Sequence, residues 1–189
     1  MILKQILKPG ALALMLLMLA TRFDHFGTPF SLPDASLTVF FLTGLWLGGG
    51  YLFLALLLEA GLIDYFAITH LGVSDFCVSN AYVFLVPTYG VMWLAGKFCR
   101  QYTSLSLSGA AQQFSVVFLA TTSAFLISNS SFFVFSSQVA NPTWAQYFQG
   151  IVSYYPPYLL STLTYTVLIF SLVTAVKSLG AFKSSQQIT

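Results

Sequence analysis

Long apolar runs with almost no charge between them leave this chain few ways to fold. Seven basic and five acidic side chains make up 6% of its 189 residues, whereas soluble domains carry roughly 25%. A soluble fold needs charge to coat its surface. A lipid-facing surface excludes it, at about 2.5–3.5 kcal/mol per charge on insertion scales. The mean hydropathy of +0.83 and the 19 phenylalanines point the same way. The chain reads as a polytopic, all-α membrane protein. A net charge of +2 without a basic tract offers nucleic acid no footing.

A bilayer core of about 30 Å takes roughly 20 apolar residues per helix, with about 17 as a lower limit. Counting along the chain predicts spans near 6–22, 35–48, 51–69, 80–97, 109–128 and 156–177. The block 36–69 is about twice one span, and the triplet Gly48-Gly49-Gly50 divides it by supplying a turn. The last span is expected to begin after Pro156-Pro157. Lys4 and Lys8 ahead of an apolar run imitate a signal peptide, but Met18 and Ala20 make a poor cleavage pair, so a retained first helix is expected. The expectation is one transmembrane domain over 1–189, a six-helix bundle.

With the N-terminus inside, Lys4, Lys8, Lys97, Arg100, Lys177 and Lys183 all fall at cytoplasmic ends and only Arg22 falls outside. That asymmetry follows the positive-inside rule. Asp24, Asp34 and Asp75 lie in outer connections, with Asp64 near the outer end of the third helix. Cys77 and Cys99 then sit on opposite sides of the membrane, which rules out a disulfide, since its Cα atoms must lie within about 7 Å.

The elaboration is concentrated outside. "RFDHFGTPFSLPDAS" places Arg22, Asp24, His25 and Asp34 within thirteen positions, among Phe23, Phe26 and Phe30. Mixed charge and aromatics suggest a loop folded back over something. Arg22, lone and on the unfavoured side, is expected either to pair with Asp24, Asp34 or Asp75, while Pro29 and Pro33 stiffen the return, or to serve as a solvated anchor at the membrane interface. The second outer connection repeats the style with His70, Asp75, Phe76 and Asn80. The third, 128–155, reads as a long loop in which "FFVF" forms a short strand or lid and Trp144, Tyr147, Tyr154 and Tyr155 add aromatic faces with polar tips. Asp64 is placed to line an outward cavity. Glu59, five residues earlier and about 140° around the helix, is expected to bond Thr43 or Tyr89 on a neighbouring helix. Motifs of hydrolases, zinc proteases and phosphate-binding loops are missing, a Cys77–histidine nucleophile has no nearby cation to lower its thiol pKa, and His25 with His70 carries little metal-site spacing. No enzyme, metal site or cofactor is expected.

"LPDASLTVFFLTG" at 32–44, "EAGLIDY" at 59–65 and "GVSDFCVSNAYVFLVPTYGVMWLAG" at 72–96 resemble the BtuN-type components of cobalamin uptake, which are similar to the S (substrate-binding) components of energy-coupling-factor (ECF) transporters. The likeness covers about residues 22–96. It implies a six-helix bundle in a bacterial inner membrane, both termini cytoplasmic, holding a vitamin in an outward cavity under closing loops. On that pattern Asp24, His25, Asp34, Asp64, Asp75 and Asn80 ring the cavity mouth and 128–155 helps form the lid. Arg22, His70, Trp144 and Tyr147 complete the candidate binding set. Cobalamin as transported ligand, and a coupling subunit with ATPases as partners, come from the resemblance alone. The first helix departs from the family pattern, because Ala11, Ala13 and Ala20 miss the Ala-x-x-x-Ala register used for docking on a coupling partner. Besides vitamin binding, the sequence leaves open an accessory subunit of a larger membrane complex and, third, a membrane-embedded enzyme.

Overall fold

A computed structural model describes residues 8–23, 32–75, 78–102, 107–136 and 143–186. Its elements are all helical: α1 (Pro9–Thr21), α2 (Ser36–Leu42, continued by a π-helical turn Thr43–Leu47), α3 (Gly50–Leu71), a 3-10 turn (Asn80–Phe84) leading into α4 (Leu85–Cys99), α5 (Leu107–Phe135) and α6 (Trp144–Gln186). Three of them, α3, α5 and Trp144–Val176 of α6, are long and apolar enough to cross a membrane. The shorter α1 and Ser36–Leu47 run for 13 and 12 residues, about 20 Å or less at 1.5 Å per residue.

Short as it is, α2 is the axis of the fold. Every residue from Ser36 to Leu45 is buried, with Val39, Phe40, Phe41 and Leu42 fully so. A helix apolar all round has to be enclosed, and here α1, α3, α4 and α6 enclose it, while α5 packs on α4 and α6. Between α2 and α4 backbone meets backbone. A Cβ on Gly96 would collide with the Phe41 carbonyl oxygen, and one on Gly44 with the Trp93 carbonyl oxygen. Only glycine lets these backbones touch. The π turn is held from α4 as well: Arg100 Nε donates to the carbonyls of Gly44 at 2.9 Å and Leu45 at 3.1 Å. Gly48, at φ +67°, then ends the helix in the left-handed conformation, where the glycine triplet puts the turn.

Polarity is inverted relative to a soluble bundle. Leu58, Leu62, Leu119, Leu160 and Leu172 point outward, each more than 60% exposed. Thr38, Thr43, Thr121 and Thr162 are buried instead. Thr38 Oγ1 donates to the Thr162 carbonyl at 3.0 Å, tying α2 to α6. An apolar exterior over a partly polar interior suits a hydrocarbon solvent, in which polar groups must find partners inside.

Two expectations are corrected on the C-terminal side. The stretch 128–155 is not one long loop: α5 continues through "FFVF" to Phe135 and α6 begins at Trp144, while 137–142 lie outside the described residues. Pro156 and Pro157 lie inside α6 rather than before it. Each removes one helical N–H donor. The helix continues because α5 lies alongside: Tyr155 Oη shares a hydrogen bond with Thr122 Oγ1 at 2.8 Å, and Tyr155 and Tyr158 both pack on Phe125. Glu59 takes neither expected partner. Its Oε2 and Thr43 Oγ1 have no hydrogen-bond partner among the described residues, and Tyr89 bonds elsewhere.

The glycine contact yields a paired test. Gly96→Ala should destabilise the purified protein by about 1–3 kcal/mol through overpacking, read as a lower thermal midpoint in detergent. Gly90, also on α4, has open space where a methyl group would stand, with nothing within 4 Å beyond its chain neighbours and its own helix backbone. Gly90→Ala should therefore be neutral or gain up to about 1 kcal/mol in helix propensity. Equal midpoints for the two variants would contradict the α2–α4 contact.

Candidate functional site

Arg22 follows the last residue of α1, and its N–H still donates to the Met18 carbonyl at 3.0 Å. Its side chain turns inward and is 2% exposed. Nε donates to Asp64 Oδ1 at 2.8 Å and Nη2 to Asp64 Oδ2 at 2.7 Å, a two-pronged pair with α3. Nη1 donates to Ser36 Oγ at 2.9 Å, to Tyr89 Oη, and at a longer 3.4 Å to Asp34 Oδ2. All three guanidinium nitrogens are engaged.

The acceptors are themselves held. Asp34 Oδ1 accepts from the Ser36 N–H at 2.8 Å and from Ser36 Oγ at 2.6 Å, which fixes the start of α2. Tyr82 Oη donates to Asp64 Oδ2 at 2.7 Å. The Tyr89 ring stacks on Phe40 with centroids 4.2 Å apart. Thr21 Oγ1 accepts from the Ala35 N–H at 3.2 Å and closes the hinge between α1 and α2. One arginine therefore gathers the ends of α1 and α3, the starts of α2 and α4, and, through Asp64, the 3-10 turn. Planar five-donor geometry suits this task, which a lysine could not perform.

Above this cluster lies a cavity of about 320 Å³, lined by residues from the end of α1 and from each of α2 to α6. Arg22, Asp34, Asp64, Tyr82 and Tyr89 form its polar end. Its walls are apolar and aromatic, with Phe23, Phe125, Phe132 and Tyr158 prominent, and Asn129 and Ser161 add neutral polar groups from α5 and α6. Such a composition, apolar with a few convergent polar groups, characterises small-molecule sites.

Of the residues singled out by sequence, Arg22, Asp34 and Asp64 come together and line the cavity. Asp24, His25 and Cys77 lie outside the described residues. Asp75 is exposed beside the lining residue Ser74. His70 is placed off the cavity, exposed in the last turn of α3, with Nδ1 2.6 Å from Thr69 Oγ1 and its ring stacked on Phe66. Asn80 opens the 3-10 turn, exposed and outside the lining. Trp144 and Tyr147 are also off the cavity: both rings pack on Phe133, and Tyr147 Oη bonds Ser130 Oγ at 2.9 Å. With 128–135 and 144–155 helical, these aromatics join α5 to α6 instead of closing a lid. Of its three expected partners Arg22 meets Asp34, at 3.4 Å, and it adds a closer, two-pronged pair with Asp64 that makes it a buried hub; the loop it was expected to hold, 24–31, lies outside the described residues. Tyr82 and Tyr89 were missed as site residues, although a spacing of seven puts two side chains on one helix face.

No protein-family model matches the chain, and no curated protein matches it.

The hub predicts non-additive mutational behaviour. Arg22→Met leaves Asp64 buried without its cation, a loss of about 3–5 kcal/mol for a broken buried pair. Adding Asp64→Leu should recover much of that loss, because two apolar residues replace two charges. Thermal unfolding in detergent reads both. A double variant no more stable than Arg22→Met would contradict the pairing.

Proposed function

We propose that this protein is a membrane-embedded substrate-binding component that captures a small molecule for uptake. The observation that carries the reading is the cavity: an apolar, aromatic space with a rigid polar end, inside a bundle whose exterior suits lipid. In this reading all six helices cross a bacterial inner membrane in alternating directions, and the cavity faces outward. Support comes from charge. Arg100 binds the far end of α2 and Lys97 packs on Trp93 near the end of α4, whereas Arg22 and three aspartates occupy the cavity end. Basic residues favour the cytoplasmic side, so both termini are cytoplasmic.

Pockets for small ligands run from about 300 to 1,000 Å³, and this one stands at the lower limit. It matches a vitamin-sized ring system. A corrinoid, the ligand implied by the likeness to cobalamin-uptake components, is far larger and would insert only an edge unless α6 moved outward. The peripheral α6, with most of its surface facing out, is the element best placed to move or to meet a coupling subunit.

A thermal-shift panel of water-soluble vitamins, cobalamin included, tests the reading. One ligand should raise the midpoint of the wild type, by up to about 2.7 kcal/mol of stabilisation at a hundred times Kd. Ser161→Trp, which fills the cavity from α6, should abolish that shift. No shift with any vitamin, or an equal shift in Ser161→Trp, would contradict the proposal.

A further inference from the structure

We infer that the end of the bundle opposite the cavity binds the phosphate headgroup of an anionic phospholipid, with Lys97 and Arg100 as its ligands. This site is separate from the cavity and does not depend on what the cavity holds.

The charge inventory points there first. The whole chain has five acidic side chains, Asp24, Asp34, Glu59, Asp64 and Asp75. Asp34 and Asp64 hold Arg22 at the cavity end. Asp24 stands two residues after Arg22 in sequence, Glu59 lies midway along α3, and Asp75 follows that helix. None falls in α4, α5 or α6, in the connections between them, or ahead of Arg22. Lys8, which opens α1, and Lys97 and Arg100, which close α4, are exposed at the other end. Among the described residues these three form no ion pair. Helix ends do not make up the difference. The carbonyl ends of α2 and α4 lie beside the amide ends of α1 and α3, and opposed helix dipoles cancel.

Local geometry turns this unbalanced charge into a site. Arg100 Nε is anchored on the Gly44 and Leu45 carbonyls, and a Cβ on Gly48 would collide with Nη2. The glycine that ends α2 thus makes room for the guanidinium. Nη1 and Nη2 have no acceptor among the described residues, and two such parallel donors match a phosphate. Lys97 is three positions earlier, adjacent on the helix surface. Its Nζ lies 4.4 Å from the centre of the Trp93 ring, a contact that holds the ammonium on the flank of α4.

The surroundings favour a lipid over a free anion. Leu94 and Phe98 flank Lys97 on α4, at 57% and 53% exposed. Phe98 meets the Tyr102 ring edge-on, and Trp46 packs on Phe170 at the same end. Aromatic rings of this kind collect at headgroup level. Acyl chains can run along Leu94 while the phosphate reaches the two cations.

Native mass spectrometry of the full-length protein tests this by titration with dioleoyl phosphatidylglycerol or dioleoyl phosphatidylcholine. Phosphatidylglycerol should bind at least about fivefold tighter, as expected for basic side chains at a membrane surface. Lys97→Gln should lose most of that preference with phosphatidylcholine binding unchanged, and Lys97→Arg should keep it. Lys97 is exposed, so neither variant threatens the fold. Inorganic phosphate at the lipid's concentration should not displace phosphatidylglycerol. Equal binding of the two lipids, or a full preference surviving in Lys97→Gln, overturns the site. Displacement by inorganic phosphate overturns its assignment to lipid.

Discussion

The fold depends on an arginine that hydrocarbon should reject. Arg22 and Asp64 are 42 positions apart in sequence, and each alone would be costly inside an apolar bundle. Together they cancel, and the neighbouring hydroxyls of Ser36, Tyr82 and Tyr89 satisfy what the pair leaves over. Because these partners come from different helices, meeting their bonding needs fixes where those helices end relative to one another. The cavity is a consequence. Helices pinned at one end by a compact polar knot, with bulky aromatics just beyond it, leave a space that side chains do not fill.

A second constraint acts at the other end. Gly44 and Gly96 allow α2 and α4 to approach until backbone meets backbone, and Arg100 caps the carbonyls that the π turn exposes. The two arginines thus play opposite parts. Arg100 binds backbone dipoles to close one end, and Arg22 binds acids to organise the open one. Between them α2 is buried along its length, so the short central helix serves as the post against which the longer, lipid-suited helices are set.

Much of the helical architecture was readable from apolar run length and the glycine triplet. The reading failed where soluble-protein punctuation was applied to a membrane chain. Ser128–Ser131 and the proline pair look like loop signals, yet in hydrocarbon the helix is the one local structure that satisfies its own backbone. There Ser131 Oγ donates back to the Ser128 carbonyl at 2.9 Å. At the site, Arg22, Asp34 and Asp64 stood out because charge is scarce. The Arg22–Asp64 pairing did not, since nothing local links two residues 42 positions apart. Tyr82 and Tyr89 were hidden among ten tyrosines whose roles are set by tertiary contact.

The central claim, that Arg22 is a locked internal cation, is open to direct observation by ¹⁵N NMR of the arginine side chains. The chain has two arginines, so an Arg100→Lys sample assigns the signals. The account predicts an Arg22 Nε–H that exchanges slowly with water and loses that protection in Asp64→Asn. An Arg22 Nε–H exchanging as fast as free arginine in the wild type would contradict it.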